Sequence, residues 1–311
     1  MSSTTSEGTL QQGPSRPLVA RIGAVLGDIK IAHTVFALPF ALLSAHLAFV
    51  ATGGYRLNTI LAILLCMFTA RTAAMSFNRW LDRDIDASNP RTLDRAIPSG
   101  RARPADALGV VIACSIVFIA TCWYLGRLPF ALSLPTIAFI LTYSWSKRFT
   151  ALTHLWLGSA LAIAPTGAWI AVTGGWSWLP VILSVGVVFW VAGFDVIYSL
   201  QDIEFDRLKG IHSIPAMVGE QRGLWIARGM HVLSFFAFVA FGRAAMMSFA
   251  AWPYWTAIGI VGALLIVEHA VARPGDRARL GIAFFTLNGV ISILLYASVI
   301  VSTMLTRTPG K

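Results

Sequence analysis

Carboxylates recur at four-residue intervals in one short stretch of this chain. Asn78, Asp82 and Asp86 follow one another at this spacing, at the end of a strongly apolar segment. On an α-helix, residues four apart lie on the same face, so these oxygen-bearing side chains are expected to point together. Oxygen ligands grouped in this way are typical of a site for a hard divalent cation such as Mg²⁺.

A second polar set follows further along the chain. Its spacings of three, four and four residues also fit one helical face, and its members are Asp195, Tyr198, Asp202 and Asp206. Carboxylates sharing one pocket repel each other by roughly 4 kcal/mol per pair at about 4 Å and an effective dielectric near 20, so a cation must offset them. The two sets predict a catalytic Mg²⁺ site with the ligands Asn78, Asp82, Asp86, Asp202 and Asp206.

Basic residues near the two acidic sets indicate what the metal would hold. Mg²⁺ usually binds through a few carboxylates together with substrate phosphates, so the implied ligand is a diphosphate. The cations expected to bind its remaining oxygens are Arg91, Arg95, Lys147, Arg148, Arg207 and Lys209. A metal and cations around a diphosphate favour its departure as a leaving group.

The chain that positions these residues has the composition of a membrane protein. It is 57% hydrophobic and 12% charged, whereas a soluble domain has about twice that charged fraction; the mean hydropathy is +0.72. We expect an all-α membrane protein of about nine transmembrane helices around a central cavity. The predicted spans are 31–50, 57–77, 106–125, 128–145, 152–172, 178–200, 223–241, 254–271 and 281–304. Residues 1–20 are predicted to be a disordered tail, and 21–311 a single transmembrane domain.

The basic residues predict the orientation. The connections expected on the cytoplasmic side carry Arg16, Arg21, Lys30, Arg79, Arg83, Arg91, Arg95, Arg101, Arg103, Lys147, Arg148, Arg207, Lys209, Arg222, Arg273, Arg277 and Arg279. The opposite side carries Arg56, Arg127, Arg243, Arg307 and Lys311. This asymmetry predicts a cytoplasmic N-terminus and a cytoplasmic active site in a bacterial-type inner membrane. The positive face would attract anionic lipids and a diphosphate; no soluble basic domain is present to bind nucleic acid.

Three segments resemble the UbiA superfamily of intramembrane prenyltransferases. The first acidic run, followed by Asn89-Pro90-Arg91 and Pro98-Ser99-Gly100, resembles the first motif of that family. The second acidic run resembles its second motif and includes Gln201. The segment from Tyr143 to Thr150, with Lys147 and Arg148, resembles the basic segment between the motifs. One departure is Arg79, where the family often has Asp after the motif asparagine.

The resemblance implies a reaction and its substrates. It implies Mg²⁺-dependent transfer of a polyprenyl chain from polyprenyl diphosphate to an aromatic acceptor of the 4-hydroxybenzoate type, in quinone biosynthesis. It assigns substrate binding to Asn78, Arg91, Arg95, Tyr143, Lys147, Arg148, Gln201, Arg207 and Lys209. The segments 30–40 and 202–207 also resemble a branch of the family that prenylates a naphthoate in the futalosine route to menaquinone, so this alternative stays open. From the residues alone, a membrane transporter also stays open, although transporters usually place acidic groups near the bilayer midplane.

Arg71 is the basic residue expected to lie deepest in a span. It precedes Asn78 by seven residues, about two helical turns, and therefore shares the acidic face. A membrane-embedded arginine costs about 3 kcal/mol on insertion scales, so a functional role is the default hypothesis. We expect Arg71 to bind the carboxylate of the aromatic acceptor; the alternative is a salt bridge to a carboxylate such as Asp195.

Overall fold

A computed structural model describes the protein over residues 16–29, 36–272 and 277–306. No β-strand occurs in these ranges, which confirms the predicted all-α class. In chain order the helices are α1 (Leu18–Gly27), α2 (Leu38–Thr52), α3 (Leu57–Leu81), α4 (Arg83–Ser88), α5 (Pro104–Leu125), α6 (Arg127–Ser146), α7 (Thr153–Thr173), α8 (Trp178–Ser199), α9 (Ile203–Lys209), α10 (Ile214–Val218), α11 (Glu220–Ala245), α12 (Trp252–Val271) and α13 (Arg277–Thr306).

Part of the N-terminal prediction falls outside this description. Residues 1–15 of the expected tail lie outside the described residues, as do Lys30, Arg273, Arg307 and Lys311 from the charge analysis. The predicted boundary of the tail at residue 20 falls inside α1, which begins at Leu18.

Eight helices among the described residues are long and apolar enough to cross a membrane. They coincide with the second to ninth predicted spans. The first predicted span, 31–50, overlaps α2, which has 15 residues and is therefore about 22 Å long, short of the hydrocarbon core of about 30 Å. The count of nine spans and the orientation of the N-terminus therefore stay predictions.

The core is built around α2, which is apolar on every side. Most of its side chains are buried, as expected for a helix without a polar face. It packs against α7 and α13, while α8 packs between α7 and α11. Phe40 stacks on Phe238 with ring centroids 5.7 Å apart and meets Trp190 edge-on at 5.3 Å. Through these ring contacts, α2 packs against both α8 and α11.

Small residues allow these helices to approach closely, a common feature of packing in membranes. A Cβ added at Gly186 would lie 2.5 Å from the ring of Phe238, and one added at Gly193 would lie 2.3 Å from the ring of His231. A Cβ at Gly158 would lie 2.3 Å from the backbone oxygen of Val188. The α7–α8 contact is therefore a contact of backbone with backbone, and it cannot relax through a change of rotamer.

Each acidic motif lies where a long helix gives way to a short one. Asp82 separates α3 from α4, and a 3₁₀ turn, Leu200–Asp202, separates α8 from α9. We expected continuous helical faces. The first face persists through the break because the amide of Asp82 still donates to Asn78 O at 2.9 Å and that of Asp86 to Asp82 O at 2.7 Å. Residues 89–103, here called the motif loop, connect α4 to α5.

The close α7–α8 approach gives a prediction about stability. Gly158→Ala is expected to lower the free energy of unfolding by about 1–3 kcal/mol, because the added methyl group has no flexible neighbour to displace. Gly167→Ala, in the same helix with nothing within 4 Å of the added Cβ, is the matched control and should be neutral or slightly stabilising. Chemical unfolding in detergent micelles measures both. Equal stability of the two variants would contradict the packing described here.

Candidate active site

The carboxylate of Asp82 is the most enclosed acidic group of the first motif. Its side chain is 1% exposed and its Oδ2 accepts a hydrogen bond from Asn78 Nδ2 at 2.7 Å. Lys147 Nζ binds the same oxygen, and Arg148 Nη2 lies 3.5 Å from Oδ1. The basic segment between the motifs therefore supplies the counterions of Asp82.

Asp86 is held by two arginines. Arg95 Nη1 lies 2.6 Å from Asp86 Oδ1 and Arg79 Nη1 lies 4.0 Å from Oδ2, while Arg79 also donates to Asn78 Oδ1 at 2.9 Å. We did not foresee the place of Arg79 in this network. Its position one residue past Asn78 predicted a different helical face, but a long arginine side chain reaches around the helix to both motif residues.

Arg91 joins the two motifs directly. Its Nε and Nη2 donate to the two carboxylate oxygens of Asp202 at 3.0 and 2.5 Å, a bidentate pairing that fixes orientation as well as charge. Its Nη1 lies 3.5 Å from Tyr198 OH. Burial lowers the pKa of Arg91, but the charge of Asp202 and the hydrogen bonds to it raise the pKa more, so the net shift is upward. The guanidinium therefore stays charged.

The other carboxylates of the second motif are bound by neutral groups. Asp206 accepts a hydrogen bond from Ser213 Oγ at 2.8 Å. Asp195 Oδ2 lies 2.7 Å from His154 Nδ1, and His154 Nε2 accepts from the amide of Ile214 at 3.2 Å. That acceptor role assigns the proton to Nδ1, so neutral His154 donates to Asp195. Helical spacing gives no signal for His154 or Ser213, because their partners lie on other helices.

Several predicted residues lie away from this network. Arg207 is exposed and donates through Nε to the carbonyl of Ala216 at 3.0 Å, and Lys209 is also exposed. Both side chains point away from the acidic motifs because Asp206 occupies the buried face of α9, whereas Arg207 and Lys209 lie on its exposed faces. Gln201 is half-buried, and its Nε2 has no hydrogen-bond partner in the described part of the chain.

An apolar cavity of about 510 Å³ lies among α3, α5, α6, α7 and α8. Arg71 and Tyr143 are the members of the predicted site that line it, and its other polar side chains are Ser133, Thr136, Ser159, Thr166 and Ser184. Tyr143 lies on α6 one helical turn before Lys147, which binds Asp82. The cavity therefore approaches the first acidic motif at the end of α6. Asp195 pairs with His154 through Oδ2, and a salt bridge from Arg71 to a carboxylate stays the alternative prediction.

The donor chemistry of the motifs fits a hard cation delivered with an anionic substrate. Within residues 16–29, 36–272 and 277–306, no three His, Cys, Asp or Glu side chains are grouped closely enough to hold a metal ion by themselves. Among the described residues, buried Asp86 Oδ2 accepts no hydrogen bond, and Arg79 Nη1 lies 4.0 Å from it. This oxygen could therefore bind a cation. Mg²⁺ commonly takes a few such oxygens and completes its shell with phosphate and water.

The sequence is similar to a known protein family and to named members of it. A model of the UbiA prenyltransferase family matches residues 37–290. The 4-hydroxybenzoate octaprenyltransferase of Neisseria meningitidis serogroup B is 32% identical over 224 residues, covering 72% of this chain and 73% of that protein. The protein of the same name from Xanthomonas campestris pv. campestris is 30% identical over 242 residues, covering 77% and 79%.

Solved structures share the fold. The apo structure of a UbiA homologue from Aeropyrum pernix K1 aligns with a TM-score of 0.76 at 31% identity, covering 88% of this chain and 98% of that one. A UbiA homologue from Archaeoglobus fulgidus bound to GPP and Mg²⁺ aligns with a TM-score of 0.67 at 18% identity, covering 91% and 99%. With a family match over most of its length and eight apolar helices, this chain is an integral membrane protein of the UbiA prenyltransferase family.

Proposed function

We propose that this protein transfers a polyprenyl chain from polyprenyl diphosphate to the ring of a 4-hydroxybenzoate-type acceptor in quinone biosynthesis, with Mg²⁺ as cofactor. One observation carries the proposal: an apolar cavity lined by Tyr143 lies one helical turn from Lys147, which belongs to a set of carboxylates and cations drawn from both motifs. An allylic diphosphate has the same two parts, a long apolar tail and a strongly anionic end. The relatives named 4-hydroxybenzoate octaprenyltransferase support the choice of acceptor.

The diphosphate end is assigned to the cations that now neutralise the motifs. Arg91, Arg95, Lys147 and Arg148 each reach a motif carboxylate, and the two-nitrogen fork of arginine matches phosphate oxygens as well as carboxylate oxygens. Arg207 and Lys209 point to solvent, so we assign them only to attraction of the anion from a distance.

Mg²⁺ bound by Asn78, Asp82, Asp86, Asp202 and Asp206 would neutralise charge that develops on the departing diphosphate. The Archaeoglobus fulgidus homologue, solved with GPP and Mg²⁺, supports this choice of ion. The protein itself orients the substrate, because its cations hold the diphosphate at the polar end while the tail lies in the apolar cavity. Exclusion of water from that cavity protects the allylic cation from hydrolysis.

Bond changes at the acceptor follow from these positions. The carbon–oxygen bond of the allylic diphosphate breaks with both electrons going to the diphosphate, and the ring carbon ortho to the phenol attacks the allylic carbon. That ring carbon then loses its proton. We assign proton acceptance to Asp195, which His154 orients through a hydrogen bond of 2.7 Å and which lies on α8, one of the helices that line the cavity. The ring of Tyr198, already beside the Arg91 cation with 6.0 Å from centroid to Cζ, is assigned to stabilising positive charge.

The metal and the acidic residues provide the first test. Purified protein with a polyprenyl diphosphate and a panel of aromatic acids should prenylate 4-hydroxybenzoate, and EDTA should abolish the reaction until Mg²⁺ is restored. Replacing Asp82, Asp86, Asp202 or Asp206 with Asn should lower kcat/KM by about a hundredfold or more, because an anionic ligand is lost while its shape is kept.

The control for these variants is Asp84→Asn, since the Asp84 side chain is 86% exposed and this variant should keep normal activity. Preference for a dihydroxynaphthoate in the acceptor panel would shift the assignment to the naphthoate reaction. Full turnover by one of the four Asn variants without added metal would contradict the metal site.

Arg71 is expected to bind the acceptor carboxylate. Arg71→Ala should raise the acceptor KM by about tenfold to a hundredfold, because a charge-assisted hydrogen bond is lost, and should leave the KM for polyprenyl diphosphate nearly unchanged. Steady-state kinetics with each substrate varied in turn measure the split. An equal rise of both KM values would instead indicate a structural role for Arg71.

Orientation in the membrane is open to direct labelling. Loops 79–105 and 201–222 should be cytoplasmic, and residues 305–311 should lie on the far side, because basic residues are retained in the cytoplasm. A cysteine at position 94, in a chain whose Cys66, Cys114 and Cys122 are replaced by Ala, should react with an impermeant maleimide only after the cells are opened. Reaction in intact cells would place the active site outside the cytoplasm.

A further inference from the structure

The short helix α1 has the reverse of the usual surface polarity. Its charged residue Arg21 and the residue directly after it, Asp28, bind other parts of the protein, whereas Leu18, Val19 and Leu26 are 55%, 82% and 41% exposed. Further exposed positions within this helix are Ala20, Gly23 and Gly27. A helix that borders water shows its charged face to solvent and buries its apolar face. The outward stripe of α1 therefore suits hydrocarbon.

The helix α1 lies beside α5, which is long and apolar enough to cross a membrane. Inward-facing Val25, 1% exposed, packs in one cluster with Ala96, Ala102, Ala107 and Val110, so α1 lies against the first turns of α5. Further along α5, Ile112 and Ile116 are 54% and 61% exposed, as expected for positions of a span that face lipid. The occupant of the α1 stripe that matches this neighbourhood is the phospholipid bilayer itself.

The inward face of α1 holds the motif loop at two places. Arg21 Nε and Nη2 donate to the two oxygens of Asp106 at 2.9 and 3.1 Å, and Asp106 accepts from the amide of Arg103 at 2.8 Å. Asp28 Oδ2 accepts from the amide of Ala96 at 2.6 Å. These contacts fix the middle and the end of the loop.

The fixed points lie beside the cations that reach the acidic motifs. Arg95, which pairs with Asp86, directly precedes Ala96, and Arg91, which pairs with Asp202, belongs to the same loop. A shift of the Ala96 amide would move Arg95 with it. Asp28 also lies 3.8 Å from Arg101 of the loop and acts through its charge on Arg79, but it has no hydrogen bond or ion pair with a motif carboxylate in the described part of the chain. It is therefore a positioning residue.

We propose that α1 is a membrane-surface helix that clamps the motif loop. Its apolar stripe rests among phospholipids of the leaflet on the side of the acidic motifs, and its inward face sets Arg91 and Arg95 for binding the anionic substrate. The effect on substrate binding rests on the proposed function; the lipid contact does not.

Spin labels test the lipid contact without any assay of activity. Single cysteines at Val19 and Leu26 are labelled in protein whose native cysteines are replaced by Ala, reconstituted in phosphatidylethanolamine–phosphatidylglycerol vesicles. Collision with oxygen should exceed collision with a water-soluble nickel chelate, as at a label on Ile116. A label at exposed Asp84 should show the reverse. Labels on α1 that resemble the Asp84 label, or that neither reagent reaches, would overturn the lipid contact.

Kinetics test the clamp. Asp28→Ala removes the acceptor of the Ala96 amide and should raise the KM for polyprenyl diphosphate by about tenfold, with little change in the acceptor KM. Asp28→Asn keeps an acceptor oxygen, so it should show a smaller rise, and it serves if the Ala variant does not fold. Val19→Asp, which places a charge in the lipid-facing stripe, should reproduce the same KM split, whereas Val19→Leu should not.

The outcomes separate the two proposals. An unchanged diphosphate KM in Asp28→Ala, or an equal rise of both KM values, would overturn the clamp. Wild-type protein that prenylates none of the aromatic acids would instead count against the proposed function, and the spin-label result would still decide whether α1 lies in lipid.

Discussion

Pairing of buried carboxylates with cations organises the polar end of this molecule. Removing one partner of a buried ion pair costs about 3–5 kcal/mol. Three of the motif carboxylates, Asp82, Asp86 and Asp202, each have a basic partner. The partners come from separate connections: Lys147 follows α6, and Arg91 and Arg95 lie in the motif loop. Charge balance thus brings together the first motif with its loop, the segment after α6 and the second motif. The long helices α3, α6 and α8 end at this cluster of charges.

The apolar part of the molecule obeys a different constraint. Lipid offers no hydrophobic reward for bringing helices together, so their association depends on close packing and on internal hydrogen bonds. Glycines in α7 and α8 provide the close contacts, and Ser234 Oγ donates to the carbonyl of Gly186 at 2.8 Å. The cavity lies on the side of α8 that faces away from α11, where the packing of five helices leaves space for an apolar chain.

What the sequence could predict depends on how local the signal was. Span length is a local signal, so the eight spans among the described residues could be predicted. The shortness of α2 could not, because residues 31–50 form one apolar run, and the helix breaks at Asp82 and at Leu200–Asp202 also gave no local signal. Contacts between helices carry no such signal. The pairing of His154 with Asp195, 2.7 Å apart across α7 and α8, and the role of Arg79 depend on helix packing and side-chain reach. The outward turn of Arg207 and Lys209 depends on which face of α9 is buried.

The bidentate bond between Arg91 and Asp202 has a thermodynamic consequence. Arg91 cannot give the same fork to a carboxylate and to a phosphate at once, so an anion that takes over the guanidinium sets the carboxylate free. A freed Asp202 attracts a cation more strongly than a paired one, and by linkage the bound cation strengthens retention of the anion by the same factor. Exchange of partners at this single bond would make the proposed binding of anion and cation mutually cooperative.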